Sequence, residues 1–211
     1  MSEPQRSLGE AKDARIAEAR ELAARSMAGV AQTSLTPDML SLAGVVLAAS
    51  SGVALYFVDR AWWLYLVAAA LFVLGAIMDI LDGALARAGG KGTPFGAFLD
   101  STLDRMGEAF LLGAAALVFA REGMEWAIAM SFAAIVGSML VSYTRAKAEA
   151  IGLRGDVGFG SRLERVAVLG IGTALGSVGA LPWAIVVLTA MAWITVVQRA
   201  LYVRKQLLES Q

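Results

Sequence analysis

The chain has 211 residues, 58% of them apolar, with 18 basic and 18 acidic side chains, no Cys and no His. A mean hydropathy of +0.65 points to one membrane bundle. Zero net charge gives no overall field for nucleic acid, and the absence of Cys and His excludes disulfides, thiolate metal sites and the usual imidazole base.

Residues 1–34 are polar, with Arg6, Lys12, Arg15, Arg20 and Arg25. Leu8, Ile16, Leu22 and Met27 among alanines predict an amphipathic helix at the membrane interface. No short apolar run follows the basic start, so the segment does not read as a signal peptide. Six apolar segments follow, near 39–58, 62–85, 95–119, 124–146, 163–180 and 182–203. Each approaches the roughly 17–25 residues of a spanning helix. The third is interrupted by Asp100, Asp104, Arg105 and Glu108, so hydropathy alone would pass over it. The fifth is short, and its Gly172-x3-Gly176 spacing suits close helix packing.

The expected fold is an all-α integral membrane protein of six transmembrane helices with an N-terminal juxtamembrane amphipathic helix. The expected organisation is a cytoplasmic segment at 1–34, a membrane domain at 35–205 and a cytoplasmic tail at 206–211. Six crossings place 16 of the 18 Lys and Arg on the side of both termini, and only Arg60 and Arg121 on the other. The positive-inside rule puts that basic side in the cytoplasm of a multi-pass cell-membrane protein. Trp62, Trp63, Tyr65, Trp126 and Trp183 fall at the opposite ends, as an aromatic belt would.

The most informative run is Asp79-x2-Asp82-Gly83-x2-Ala86-Arg87-x8-Gly96-x3-Asp100-x3-Asp104. Four acids buried at mid-bilayer would cost on the order of 10 kcal/mol, so a partner must offset them. Asp79, Asp82, Gly83 and Ala86 share one helix face, and Gly96, Asp100 and Asp104 form a second stripe at i, i+4, i+8. The Gly- and Pro-rich stretch at 88–95 is a tight turn, which predicts antiparallel neighbours with facing acidic stripes. An oxygen-only site selects Mg²⁺ or Mn²⁺, as one ion or a pair, together with a phosphorylated substrate. Structural ion pairing to Arg87 and Arg105 would leave charge uncompensated. A cation path would spread its acids over the membrane depth instead of one end. Either alternative would make the chain a scaffold or transporter rather than an enzyme.

The complete run resembles the signature of the CDP-alcohol phosphotransferases, and every specified position matches. Thr36-Pro37-Asp38 resembles the N-terminal boundary of that family's membrane domain. The resemblance implies transfer of a phosphatidyl or archaetidyl group from CDP-diacylglycerol or CDP-archaeol to an alcohol, with release of CMP. It implies two metal ions on Asp79, Asp82, Asp100 and Asp104, with Asp104 also the base for the acceptor hydroxyl. It implies a CDP-lipid pocket of Asp79, Asp82, Gly83, Ala86, Arg87, Gly96, Asp38 and Ser41, an active site open to the cytoplasm, and a homodimer in the lipid bilayer.

A second basic group at the same membrane side comprises Arg145, Lys147, Arg162, Arg165 and Arg199. Cations beside a metal site suit an acceptor that carries its own phosphate. The Ser142–Glu149 run, Glu164-Arg165 and Gln198-Arg199 resemble the phosphatidylinositol-phosphate synthase branch, which implies inositol phosphate as acceptor. Glycerol 3-phosphate or another alcohol is the alternative.

Overall fold

The computed structural model describes residues 36–90 and 92–209. The expected interfacial helix at 1–34 lies outside them, as do Lys91 and the last two residues. The described residues form six α-helices and no strand: α1 (Pro37–Tyr56), α2 (Leu64–Gly89), α3 (Pro94–Arg121), α4 (Glu125–Ala150), α5 (Arg162–Ala174) and α6 (Leu181–Glu209).

Local chemistry sets the helix starts. Thr36 caps α1 by accepting from Met39 N–H at 3.3 Å, with Pro37 in the first turn. Thr93 and Pro94 repeat that arrangement at α3, where Thr93 Oγ1 accepts from Gly96 N–H at 2.9 Å. Both pairs satisfy a free helical donor with a hydroxyl and place Pro where no amide hydrogen is needed. Ser161 and Glu164 form a capping box at α5. Gly90 ends α2 in the left-handed conformation, with φ of 58°.

Packing closes the helices into a ring. α1 lies between α2 and α3, α3 packs on α4, α4 on α6, α6 on α5, and α5 returns to α2. Small residues make the α1 contacts close. A Cβ at Gly75 would stand 2.8 Å from Gly44 O, and one at Gly52 would stand 2.9 Å from Phe110 O. Ser51 donates to Ala68 O at 2.7 Å. Leu55, Phe72, Leu111, Leu112, Phe119, Ile185 and Leu188 fill the core between the helices.

One expectation changes. α2 and α3 touch only sparsely, because the small residues of α1 seat that helix between them. Their acidic ends still converge, as described below. The fifth segment forms an α-helix of 13 residues followed by a 3-10 turn at Gly176–Val178. That helix is about 20 Å long, short of a hydrocarbon core of about 30 Å. The last helix continues to Glu209. Four helices, α1, α2, α4 and α6, are long and apolar enough to cross a membrane. α3 runs unbroken through its charged residues. The fifth-segment glycines do serve packing: Gly172 faces Ala184 and Gly176 faces the Tyr65 ring.

Candidate active site

Asp79 and Asp82 lie on the last turns of α2, and Asp100 lies near the start of α3. One carboxylate oxygen from each falls within 4.8 Å of the others. Asp82 is buried, and Asp79 and Asp100 are half-buried. α1 fixes this cluster from the side: the Ser41 hydroxyl donates to the Asp82 carboxylate. Asp100 Oδ1 is buried without a hydrogen-bond partner. An orphaned carboxylate oxygen beside two further carboxylates fits a hard divalent cation, since burying unpaired anions is otherwise costly. Asp79, Asp82 and Asp100 are the residues able to hold such an ion.

Asp104 stands one turn beyond Asp100, outside that three-oxygen cluster. The Arg162 guanidinium bridges it to Asp79, with one nitrogen on each carboxylate. Arg105 Nη1 approaches Asp104 at 3.4 Å and donates through Nε to Ser142 at 2.8 Å. A cleft runs inward from Asp79 and Asp104 between α1, α2, α3 and α5, walled by Gly44, Gly75, Gly107, Glu108, Arg162 and Arg165.

The other expected CDP-lipid residues pack at the ends of α1, α2 and α3 around the turn between α2 and α3. A Cβ at Gly83 would lie 3.3 Å from Arg87 Nη1, so the Arg87 side chain folds back over that glycine. A Cβ at Gly96 would lie 2.9 Å from Asp38 Oδ1, which places the first turn of α1 against the first turn of α3. Ala86 faces the turn, 3.8 Å from where a Gly92 Cβ would stand.

The five expected acceptor cations divide. Arg162 and Arg165, both from α5, reach the cleft. Arg145 is exposed and pairs with Glu149 at 2.8 Å, and Lys147 is exposed on the same last turns of α4. Arg199 does not reach the carboxylates. It donates through Nε to Val157 O at 2.7 Å and through Nη1 to Val141 O.

From the sequence, Glu108 reads only as an interruption of an apolar span. It accepts from the Ser138 hydroxyl and stands 3.6 Å from Arg165, so it ties α3, α4 and α5 together beside the cleft. Its signal was the i, i+4 stripe, which continues from Asp100 and Asp104 by one more turn. Outside the helices, Asp156 accepts from Arg154 at 2.9 Å, and that hydrogen bond holds the Asp156 carboxyl below its ordinary value.

A helical membrane protein with a three-carboxylate cluster paired to Arg162, with Arg165 in the adjoining cleft, fits a class of enzyme that handles phosphate esters through a divalent metal. The comparisons narrow it further. Residues 34–201 match the CDP-alcohol phosphatidyltransferase family, and the chain belongs to that family of transferases. It is 38% identical over 186 residues to the phosphatidylinositol phosphate synthase of Mycolicibacterium smegmatis, covering 81% of this chain and 78% of that one. Its fold is similar to the crystal structure of Mycobacterium tuberculosis phosphatidylinositol phosphate synthase with CDP-DAG bound. The TM-score is 0.72 at 30% identity, covering 85% of this chain and 90% of the other. The same enzyme in complex with manganese and citrate gives a TM-score of 0.71 at 30% identity, over 85% and 86% of the two chains.

Proposed function

We propose that this enzyme transfers a phosphatidyl group from CDP-diacylglycerol to inositol phosphate and releases CMP. The observation that carries the reading is the three-carboxylate cluster beside Arg162 and Arg165. One face suits a metal-bound diphosphate, and the other suits the phosphate of a second substrate.

The roles follow from position. Asp79, Asp82 and Asp100 hold Mg²⁺ or Mn²⁺, and Ser41 orients Asp82. The bound metal would draw charge from the diphosphate and make CMP a better leaving group. Gly83, Ala86 and Gly96 keep side chains out of the nucleotide's path, with Arg87 and Asp38 at its edge. Asp104, beyond the cluster, takes the proton of the acceptor hydroxyl as that oxygen attacks the phosphatidyl phosphorus and the bond to CMP breaks. Arg162 and Arg165 hold the acceptor phosphate, with Arg145, Lys147 and Arg199 around its approach. Holding both substrates in line supplies much of the remaining acceleration.

The proposal extends to the setting. The membrane domain spans 35–205, and the chain crosses the membrane six times, with α3 included and with α5 extended by the turn at Gly176–Val178. It keeps both termini and the site in the cytoplasm. Support comes from the basic loops at the acidic end and from Trp62, Trp63, Trp126 and Trp183, all exposed at the other. The enzyme works as a homodimer.

The test is an acceptor screen on purified protein with CDP-diacylglycerol and Mg²⁺. CMP release is expected with inositol phosphate and not with free inositol or glycerol 3-phosphate. Release with glycerol 3-phosphate alone would move the acceptor assignment and keep the chemistry.

A further inference from the structure

Residues 151–161 join α4 to α5 and end at Ser161, the cap from which Arg162 and Arg165 enter the cleft. This strap has no helix or strand of its own. Its backbone is seated by side chains of α6. The Gln206 carboxamide makes two bonds to one residue: Nε2 donates to Arg154 O at 2.8 Å, and Oε1 accepts from Arg154 N–H at 3.1 Å. Two turns earlier, Gln198 Oε1 accepts from Phe159 N–H at 2.8 Å. Thr195 donates to Phe159 O, and Arg199 donates to Val157 O.

The strap lies flat because of two glycines. Gly158 has φ of 149° and Gly160 has φ of 90°, and a Cβ at Gly160 would stand 2.8 Å from Met191 Cε. A carboxamide is suited to this contact because it donates and accepts at once, whereas Glu would only accept and Lys only donate. Gln198 and Gln206 do not line the cleft. The chain between their contacts and Arg162 is short, so a loosened strap releases the start of α5.

We propose that Gln198 and Gln206 are positioning residues. They clip the 151–161 strap to α6 so that α5 presents Arg162 and Arg165 to the acceptor phosphate. The proposal rests on the acceptor reading of those two arginines.

The experiment compares the full chain with Gln198→Ala, Gln206→Ala and Gln206→Met, the last keeping length without either bond. Two readouts are taken. Trypsin cleavage after Arg154, whose side chain is 75% exposed, reports the strap without any turnover. It is expected to quicken in all three variants. The KM for inositol phosphate is expected to rise by about tenfold while kcat and the KM for CDP-diacylglycerol stay within about twofold. Unchanged cleavage would overturn the clip. Faster cleavage with an unchanged acceptor KM, or an equal rise in both KM values, would overturn the positioning role. If the unaltered chain releases no CMP with inositol phosphate, the acceptor reading fails alone, and the cleavage readout still decides the strap.

Discussion

Ser41→Ala removes one hydroxyl at the centre of the site, which donates to Asp82 and also lies 3.2 Å from Pro37 O on its own helix. Ser41 is 7% exposed and Asp82 is 4% exposed, so water does not replace the lost hydroxyl freely. Ala keeps the Cβ and leaves little cavity. What is removed is the donor that aims the Asp82 carboxylate at Asp79 and Asp100. A hydrogen bond to a charged group contributes about 1.5–3 kcal/mol, which corresponds to roughly 10- to 150-fold in an equilibrium constant. Partners behind a metal ligand lower metal affinity by about 10- to 100-fold when lost, and the two scales agree. Mn²⁺ titration of the purified variant is therefore expected to show affinity weakened by about 30-fold, with kcat largely restored at saturating metal. Ser50→Ala is the control. Ser50 lies on the same helix, is exposed and bonds only to Val46 O at 2.8 Å. Wild-type Mn²⁺ affinity in Ser41→Ala, with activity unchanged at limiting metal, would refute the orienting role.

Other perturbations separate chemistry from packing. Asp100→Asn is expected to lower CMP release by at least about 100-fold, since a metal supplies several kcal/mol of transition-state stabilisation. Its melting temperature in detergent should hold or rise, because one of three adjacent carboxylates loses its charge. Gly75→Ala places a methyl 2.8 Å from the α1 backbone. Separating α1 from α2 should destabilise the fold by about 1–3 kcal/mol, read as a lower melting temperature. Asp156→Asn should leave the pH–rate profile superimposable on the wild type between about pH 5.5 and 8, because exposed pairs contribute little. The sign follows from Arg154, which favours the charged carboxylate. The pair's contribution is complete above the ordinary carboxylate value and fades only as pH falls through the lowered one.

What the sequence makes legible, and what it hides, divides along physical lines. The Gly- and Pro-rich stretch at 88–95 announces a turn because turn chemistry is local, and the structure ends α2 at Gly89 and begins α3 at Pro94 there. The acidic stripes are equally local, since spacing alone puts Asp79 and Asp82 on one face. The wedge of α1 between α2 and α3 is not local. It depends on Gly44 meeting Gly75 and on Gly52 meeting the Phe110 carbonyl, pairs that nothing in a single sequence joins.

The arginines make the same point more sharply. Arg162 and Arg199 read alike, each a cation at the inner end of an apolar segment. In the structure Arg162 bridges Asp79 and Asp104, whereas Arg199 bonds the carbonyls of Val141 and Val157. A guanidinium is satisfied by either kind of oxygen. What separates them is the route of residues 151–161, and that route is held by backbone bonds from Thr195, Gln198 and Gln206. Because those bonds go to main-chain atoms, the strap's own side chains carry no trace of them. The surroundings of Arg162 and Arg199 therefore depend on contacts with a neighbouring helix, whereas charge pattern alone puts both in one group.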